Sequence, residues 1–433
     1  MQLNWLQIFR LGLVQMALGA IVVLTTSTLN RLMVVEFALP AVLPGALVGL
    51  HYGIQLSRPR WGFISDKGGN RTKWIIGGMA VLALGALVAA FAVTLFATSY
   101  ILALLLSLLA YSAIGLGVGA SGTSLLALLA TTTAPHRRAA AATITWLMMI
   151  FGIALTAGLA GSFLDPYSPA RLMSVVSVVV TGAFLLTIVA TGRIERGLIA
   201  TQQQDPMPFM EGLREIWAEP HARNFTLFVF LSMNAYFMQE LILEPYAGLV
   251  FGFTPGQSTQ LSGAQNGGVF MGMLTVGIMA TGLKIGSLRA WVTGGCLGSA
   301  VVLGLIAVNG AGGGFAPLMP LVIVLGYFNG MFAVAAIGSM MALASDGRER
   351  REGTRMGLWG AAQAIAAGFG GLTGAAAVDL FRISLSDGAA FGAVFTIEAV
   401  LFIASAFMAL HVLGRTSAPL KPQRETPALV PGE

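Results

Sequence analysis

Four ionisable side chains stand where so apolar a chain has least reason to place them. Glu240 and Glu244 are four positions apart and share one helical face. Their mutual repulsion invites a proton, a cation or a metal centre, and hydration at a membrane interface would relieve it equally well. At ~1.5 Å per residue Glu240 is expected ~24 Å along its span, near the outer interface. Of four histidines, His51 alone lies well inside an apolar stretch, with Tyr52 and Gln55 close by. It stands ~16 Å from the end of its helix. Glu398 falls near the middle of the last apolar stretch, where a carboxylate bared to lipid would cost a few kcal/mol. It is expected either protonated and bonded inward, or turned outward onto a membrane partner.

The elements that must hold these groups are membrane helices. The chain has 433 residues, 56% hydrophobic and 10% charged, against about 25% charged in soluble domains. A net charge of +6 taken alone points to nucleic acid, but the placement of the positive residues argues against it. On a twelve-span reading, all of the 24 Lys and Arg except Arg31, Arg171 and Arg382 fall on one side. That is the positive-inside pattern, with both termini cytoplasmic. The lone Cys296 excludes a disulfide framework and a thiolate metal site. There is no P-loop, dinucleotide fingerprint or paired-histidine metal motif, so no enzyme and no resident cofactor is expected. Arg10 leads into a full-length span without a cleavage site, which argues against a cleaved signal.

Spans are expected at 11–29, 39–63, 74–97, 100–129, 139–164 and 170–191, then at 224–243, 259–283, 290–308, 317–344, 356–380 and 391–413. Residues 3–9, with Trp5, read as an interfacial helix before the first span. The predicted fold is all-α, in two six-helix bundles. The first occupies 1–192 and the second 224–413, joined by a cytoplasmic linker at 193–223 and followed by a disordered tail at 414–433. In the linker Phe209, Leu213, Ile216 and Trp217 recur at helical spacing, as in a surface helix. A repeat supports the division: Arg137-Arg138 with Trp146 returns as Arg350-Arg351 with Trp359, a shift of 213. Fifty-five glycines fit backbone-to-backbone packing in lipid, with Gly115/Gly119, Gly294/Gly298 and Gly370/Gly374 as candidate pairs.

The polar run GFISDKGGNRTK supplies Gly62, Asp66, Lys67, Gly69 and Arg71, which resemble the conformational loop between the second and third helices of major facilitator superfamily transporters. The cavity-lining spans of that fold carry only mild polar groups here, Gln15, Asn234 and Asn329. That favours an apolar or amphiphilic cargo. More specific is QELILEPYAG, from Gln239 to Gly248, which is similar to the signature of the PucC/LhaA family within that superfamily. LNRLMVVEFALPA, from Leu29, and RPRWGFISD, from Arg58, match the same family. Ala247 stands where glycine is usual, and Glu240 where aspartate is commoner.

The resemblance implies a membrane assembly factor of the bacterial inner or photosynthetic membrane. Its cargo would be bacteriochlorophyll or a late precursor, its partners antenna polypeptides, a bacteriochlorophyll synthase or other pigment enzymes, with membrane lipids around it. On that reading His51 is a candidate ligand of the chlorin magnesium, with Tyr52, Gln55, Gln239, Glu240, Glu244 and Tyr246 lining the pigment, and Glu398 is a candidate partner contact. The alternative is a proton-coupled transporter of a small amphiphile, with Glu240 and Glu244 as proton sites.

Overall fold

The computed structural model describes residues 3–58, 61, 70–134, 137–195, 214, 217–345 and 352–413. Among them twelve long helices follow one another: α1 (Trp5–Glu36), α2 (Val42–Gln55), α3 (Arg71–Leu95), α4 (Tyr100–Thr132), α5 (Arg138–Leu164) and α6 (Pro169–Thr191), then α7 (Pro220–Phe251), α8 (Pro255–Val276), α9 (Leu288–Ala311), α10 (Leu318–Ser345), α11 (Glu352–Arg382) and α12 (Asp387–Val412). Ten are long and apolar enough to cross a membrane. The other two are α2, whose described part has 14 residues, and α8, whose buried Ser258, Thr259, Ser262 and Gln265 lower its hydropathy.

Helix pairing reveals an internal two-fold relation. In the first half α1 packs on α5 and α6, α4 on α2 and α3, and α3 on α6. Six helices on, α7 packs on α11 and α12, α10 on α8 and α9, and α9 on α12. Each half buries its own apolar core. The halves meet through α5 with α8 and α2 with α11, two contacts that exchange under the same relation. Both are close backbone approaches. A Cβ on Gly161 would lie 2.6 Å from Gly256 O, and one on Gly45 would lie 2.9 Å from the Ala375 Cβ.

Some boundaries differ from those expected. The segment at 3–9 is no separate interfacial helix: α1 starts at Trp5 and runs unbroken into the first span. Its start is fixed by a capping box in which Gln7 N–H donates to Asn4 Oδ1 at 2.8 Å and Asn4 N–H to Gln7 Oε1 at 2.9 Å. Leu3 N–H then donates to Thr132 O, tying this end to α4. Helix α7 passes the expected stop at 243 and continues through Pro245 to Phe251, closing on Gly252 in the left-handed region (φ 69°). Gly62, Asp66, Lys67 and Gly69 lie outside the described residues, as do Phe209, Leu213, Ile216, Arg350, Arg351 and the tail. Arg71 opens α3, where its N–H donates to Glu195 at 3.0 Å and its guanidinium to Ala127 O at 3.2 Å.

Candidate functional site

The stretches 29–41 and 239–248, more than 200 positions apart, are in direct contact. They form a polar seam between the halves, at the end of the bundle opposite the N-terminus. Its centre is a consequence of Pro245. Proline donates no N–H, so the carbonyl four residues earlier, that of Leu241, loses its helical partner. Asn30 on α1 fills the vacancy: its side-chain amide donates to Leu241 O at 2.6 Å. One turn away Ser27 Oγ donates to Glu244 Oε1 at 2.5 Å and lies 3.1 Å from Ser262 Oγ. Thr28 bonds Thr259 at 3.1 Å.

Arg31 completes the seam. It is 2% exposed and is held by three partners, which suit its planar fork of donors. It pairs with Glu36 and donates to Phe253 O at 2.6 Å and Ser258 Oγ at 3.3 Å. Gly248 leaves the room: a Cβ there would sit 3.2 Å from the guanidinium. The same stretch of α1 is underwound to π-type bonding at Leu24–Thr28 and Leu32–Glu36, an irregularity that often marks functional segments. Beside it, in the loop after α5, burial and the Glu36 carboxylate push the Tyr167 phenol above its ordinary range, against an opposing pull from Arg31.

Deeper between the halves lies a second cluster. Tyr52 on α2 meets Phe237 of α7 edge to face at 5.7 Å, and Tyr236 meets Phe237 at 5.1 Å. Glu240, one turn beyond Tyr236, is in electrostatic range of both tyrosines. Gly368 of α11 closes the side, with a virtual Cβ 3.2 Å from that of Tyr52. All four of these side chains are half-buried.

The expected site residues therefore divide. Tyr52 and Glu240 come together, with Tyr236 and Phe237, which the sequence reading missed. Glu244 is not a hydrated interfacial group but a buried member of the seam, 1% exposed. Tyr246 is in the second core, its ring against Phe251, Phe391 and Phe395 and its hydroxyl donating to Ile306 O at 2.7 Å. It lines no open site. Gln239 is fully buried with neither amide atom bonded.

His51 is 1% exposed, and its Nε2 accepts from the Gln55 amide at 2.8 Å. Gln55 Oε1 accepts in turn from Arg58. With Nε2 engaged and Nδ1 unbonded inside the enclosed ring site, His51 presents no exposed nitrogen in this arrangement. Glu398 is fully buried with both oxygens unbonded, so it faces inward and offers no contact to a partner. Among the seam residues, Ser27 carried no signal in the sequence, whereas Asn30 and Arg31 carried two: both lie in the family-like stretch from Leu29, and Arg31 is one of three arginines left on the sparsely charged side. All three are engaged, Arg171 with Asp165 O at 2.5 Å and Arg382 with Asp387 at 2.7 Å.

Comparison with known proteins agrees with this fold. The chain is similar to a bacterial homologue of the human drug peptide transporters PepT1 and PepT2, at 14% identity and a TM-score of 0.70, covering 95% of this chain and 98% of that one. It also resembles a bacterial homologue of the human lysosomal transporter Spinster in an inward-facing, occupied conformation, at 13% identity and a TM-score of 0.68, over 94% and 96% of the two chains. At such identity the likeness is one of fold, the major facilitator type. In sequence it is 67% identical over 419 residues to the bacteriochlorophyll synthase 44.5 kDa chain of Rhodobacter capsulatus, covering 96% of this chain and 98% of that protein. Protein PucC of Cereibacter sphaeroides is 28% identical over 445 residues, covering 95% and 93%. A family model described as PUCC protein matches residues 28–417, so both stitched stretches fall within the match and the chain belongs to the PucC family.

Proposed function

We propose that this protein is a non-enzymatic membrane carrier that binds bacteriochlorophyll, or a late precursor, and hands it to antenna polypeptides or pigment enzymes. The observation that carries the reading is the half-buried cluster of Tyr52, Tyr236, Phe237 and Glu240 between the halves. Its three rings offer apolar walls to a flat macrocycle, and its carboxylate is a hard oxygen donor suited to magnesium. Glu240 thus takes the ligand role first assigned to His51. The name of the Rhodobacter capsulatus relative supports this pigment class, and the 67% identity supports a shared cargo. The one-sided Lys and Arg distribution supports twelve spans with both termini cytoplasmic, and the likeness to PucC proteins supports a place in the inner or photosynthetic membrane.

The test is purification in mild detergent from a phototrophic host, followed by absorption spectroscopy and identification of co-purifying proteins. A chlorin band near stoichiometric with protein is expected. Glu240→Gln and Tyr52→Leu should each lower pigment occupancy several-fold, whereas His51→Ala should leave the position of the band unchanged. A colourless preparation without partners would overturn delivery. Proton-driven flux of an amphiphile in vesicles, lost in Glu240→Gln, would then establish the transporter alternative.

A further inference from the structure

Two carboxylates at the seam end each cross from one half to the other. Asp165, the residue directly after α5, receives Thr254 Oγ–H at 2.5 Å on one oxygen and Gly256 N–H at 3.0 Å on the other. These groups form the start of α8, and Gly256 permits the approach: a Cβ there would lie 2.4 Å from the carboxylate. Asp379, in the last turn of α11, receives Ala41 N–H at 2.9 Å and Val42 N–H at 2.7 Å. These form the start of α2, which has no side-chain cap of its own. Each carboxylate satisfies helix-end amides that would otherwise lack partners, and each faces the positive end of a helix dipole.

The two contacts are one device used twice. Asp165 and Asp379 stand 214 positions apart, and so do the donating amides of Val42 and Gly256. In each case the donor is the second helix of one half and the acceptor the fifth helix of the other. They sit on the two different inter-half contacts, α5 with α8 and α2 with α11. Parting the halves at this end by a rocking motion must break both, since the pseudo-two-fold axis runs between them. Broken singly, the remaining contact still joins the halves.

We propose that Asp165 and Asp379 are a paired latch that holds this end of the protein shut, and that their joint release parts the halves and exposes the groups between them to that side. The latch is independent of what the protein carries. Taking this side as the outer one rests on the orientation proposed above.

Thiol labelling tests it in the full chain. Native Cys296 is fully buried and is replaced by Ser to remove background. Ala375→Cys is the reporter, since Ala375 is 1% exposed and packs with Val34 and Ala41 across the seam. A membrane-impermeant maleimide is applied to spheroplasts, and Thr98→Cys, at an exposed position in the turn between α3 and α4, reports which side faces out. Asp165→Asn and Asp379→Asn should each raise reporter labelling about fivefold, and together ~25-fold or more. Asp387→Asn, which breaks the Arg382 pair inside the second half, should leave the rate unchanged.

Labelling in the monodisperse double variant no faster than in the parent would overturn the latch. Equal acceleration by Asp387→Asn would overturn it too. If the double variant does not accumulate, the single variants decide on the same criterion. If Thr98→Cys reacts only in inverted vesicles, the orientation is wrong, and the same comparison read from that side still decides the latch.

Discussion

Pro245 and Asn30 are a matched pair. Proline removes a donor, asparagine returns one, and the carbonyl of Leu241 is the group they share. Asn30→Ala should leave that carbonyl buried and unbonded, lowering stability by about 1–3 kcal/mol. Adding Pro245→Ala should recover most of the loss, because the substitution restores the N–H that closes the helical bond. Thermal unfolding in detergent, followed by the reaction of a thiol probe with buried Cys296, measures both variants. Recovery absent in the double variant would refute the pairing. This pair was hidden from the sequence for a physical reason. Glu-Pro reads as the end of a membrane helix, and the group that lets α7 continue is 211 positions away. The same displacement put Glu244 at a wet interface on paper, whereas the extra two turns of α7 carry it into the seam.

At the scale of helices, the tightest packing is between α8 and α10. Gly268 and Gly272 face Gly326 and Gly330, each four residues from its mate, so that each helix presents a small-xxx-small face to the other. A Cβ on Gly272 would lie 2.0 Å from Tyr327 O, and one on Gly326 would lie 2.0 Å from Gln265 O. Gly272→Ala should therefore force the helices apart and cost about 1–3 kcal/mol. Gly267→Ala, on the same helix with nothing within 4 Å, should be neutral or slightly stabilising. Melting temperatures of the two variants check the contrast, and equal loss would count against it. Of the glycine pairs singled out from sequence, Gly370 and Gly374 do pack on α7 and Gly115 packs on α2, but Gly294 meets nothing. Spacing alone cannot rank such pairs, because the opposing backbone decides. The polar make-up of α8 lowers its hydropathy without barring it from the membrane, since Ser258, Thr259, Ser262 and Gln265 are buried against protein.

For the molecule as a whole, helix count and the two-bundle architecture were legible because hydrophobicity, charge bias and a repeat all point to them. The site was not. Tyr52 and Glu240 were legible as unusual residues, but Tyr236 and Phe237 look like ordinary core until α2 is laid against α7. Each half has its own core, so a chain cut between residues 196 and 213 should still assemble. An untagged second half should co-purify with a tagged first half, and Arg31→Ala, which removes two contacts across the seam, to Phe253 O and Ser258 Oγ, should reduce that recovery several-fold. Failure of intact halves to associate would show that the seam alone does not join them. The seam also sets a problem of timing during synthesis. Arg31 leaves the ribosome 222 residues before Phe253, whose carbonyl it finally binds. At roughly 5–20 residues per second that is a wait of roughly 10–40 s. Through that interval Glu36, five positions along, is the acidic partner already made, so the Arg31–Glu36 pair is what keeps a nascent first half from presenting a bare guanidinium to lipid.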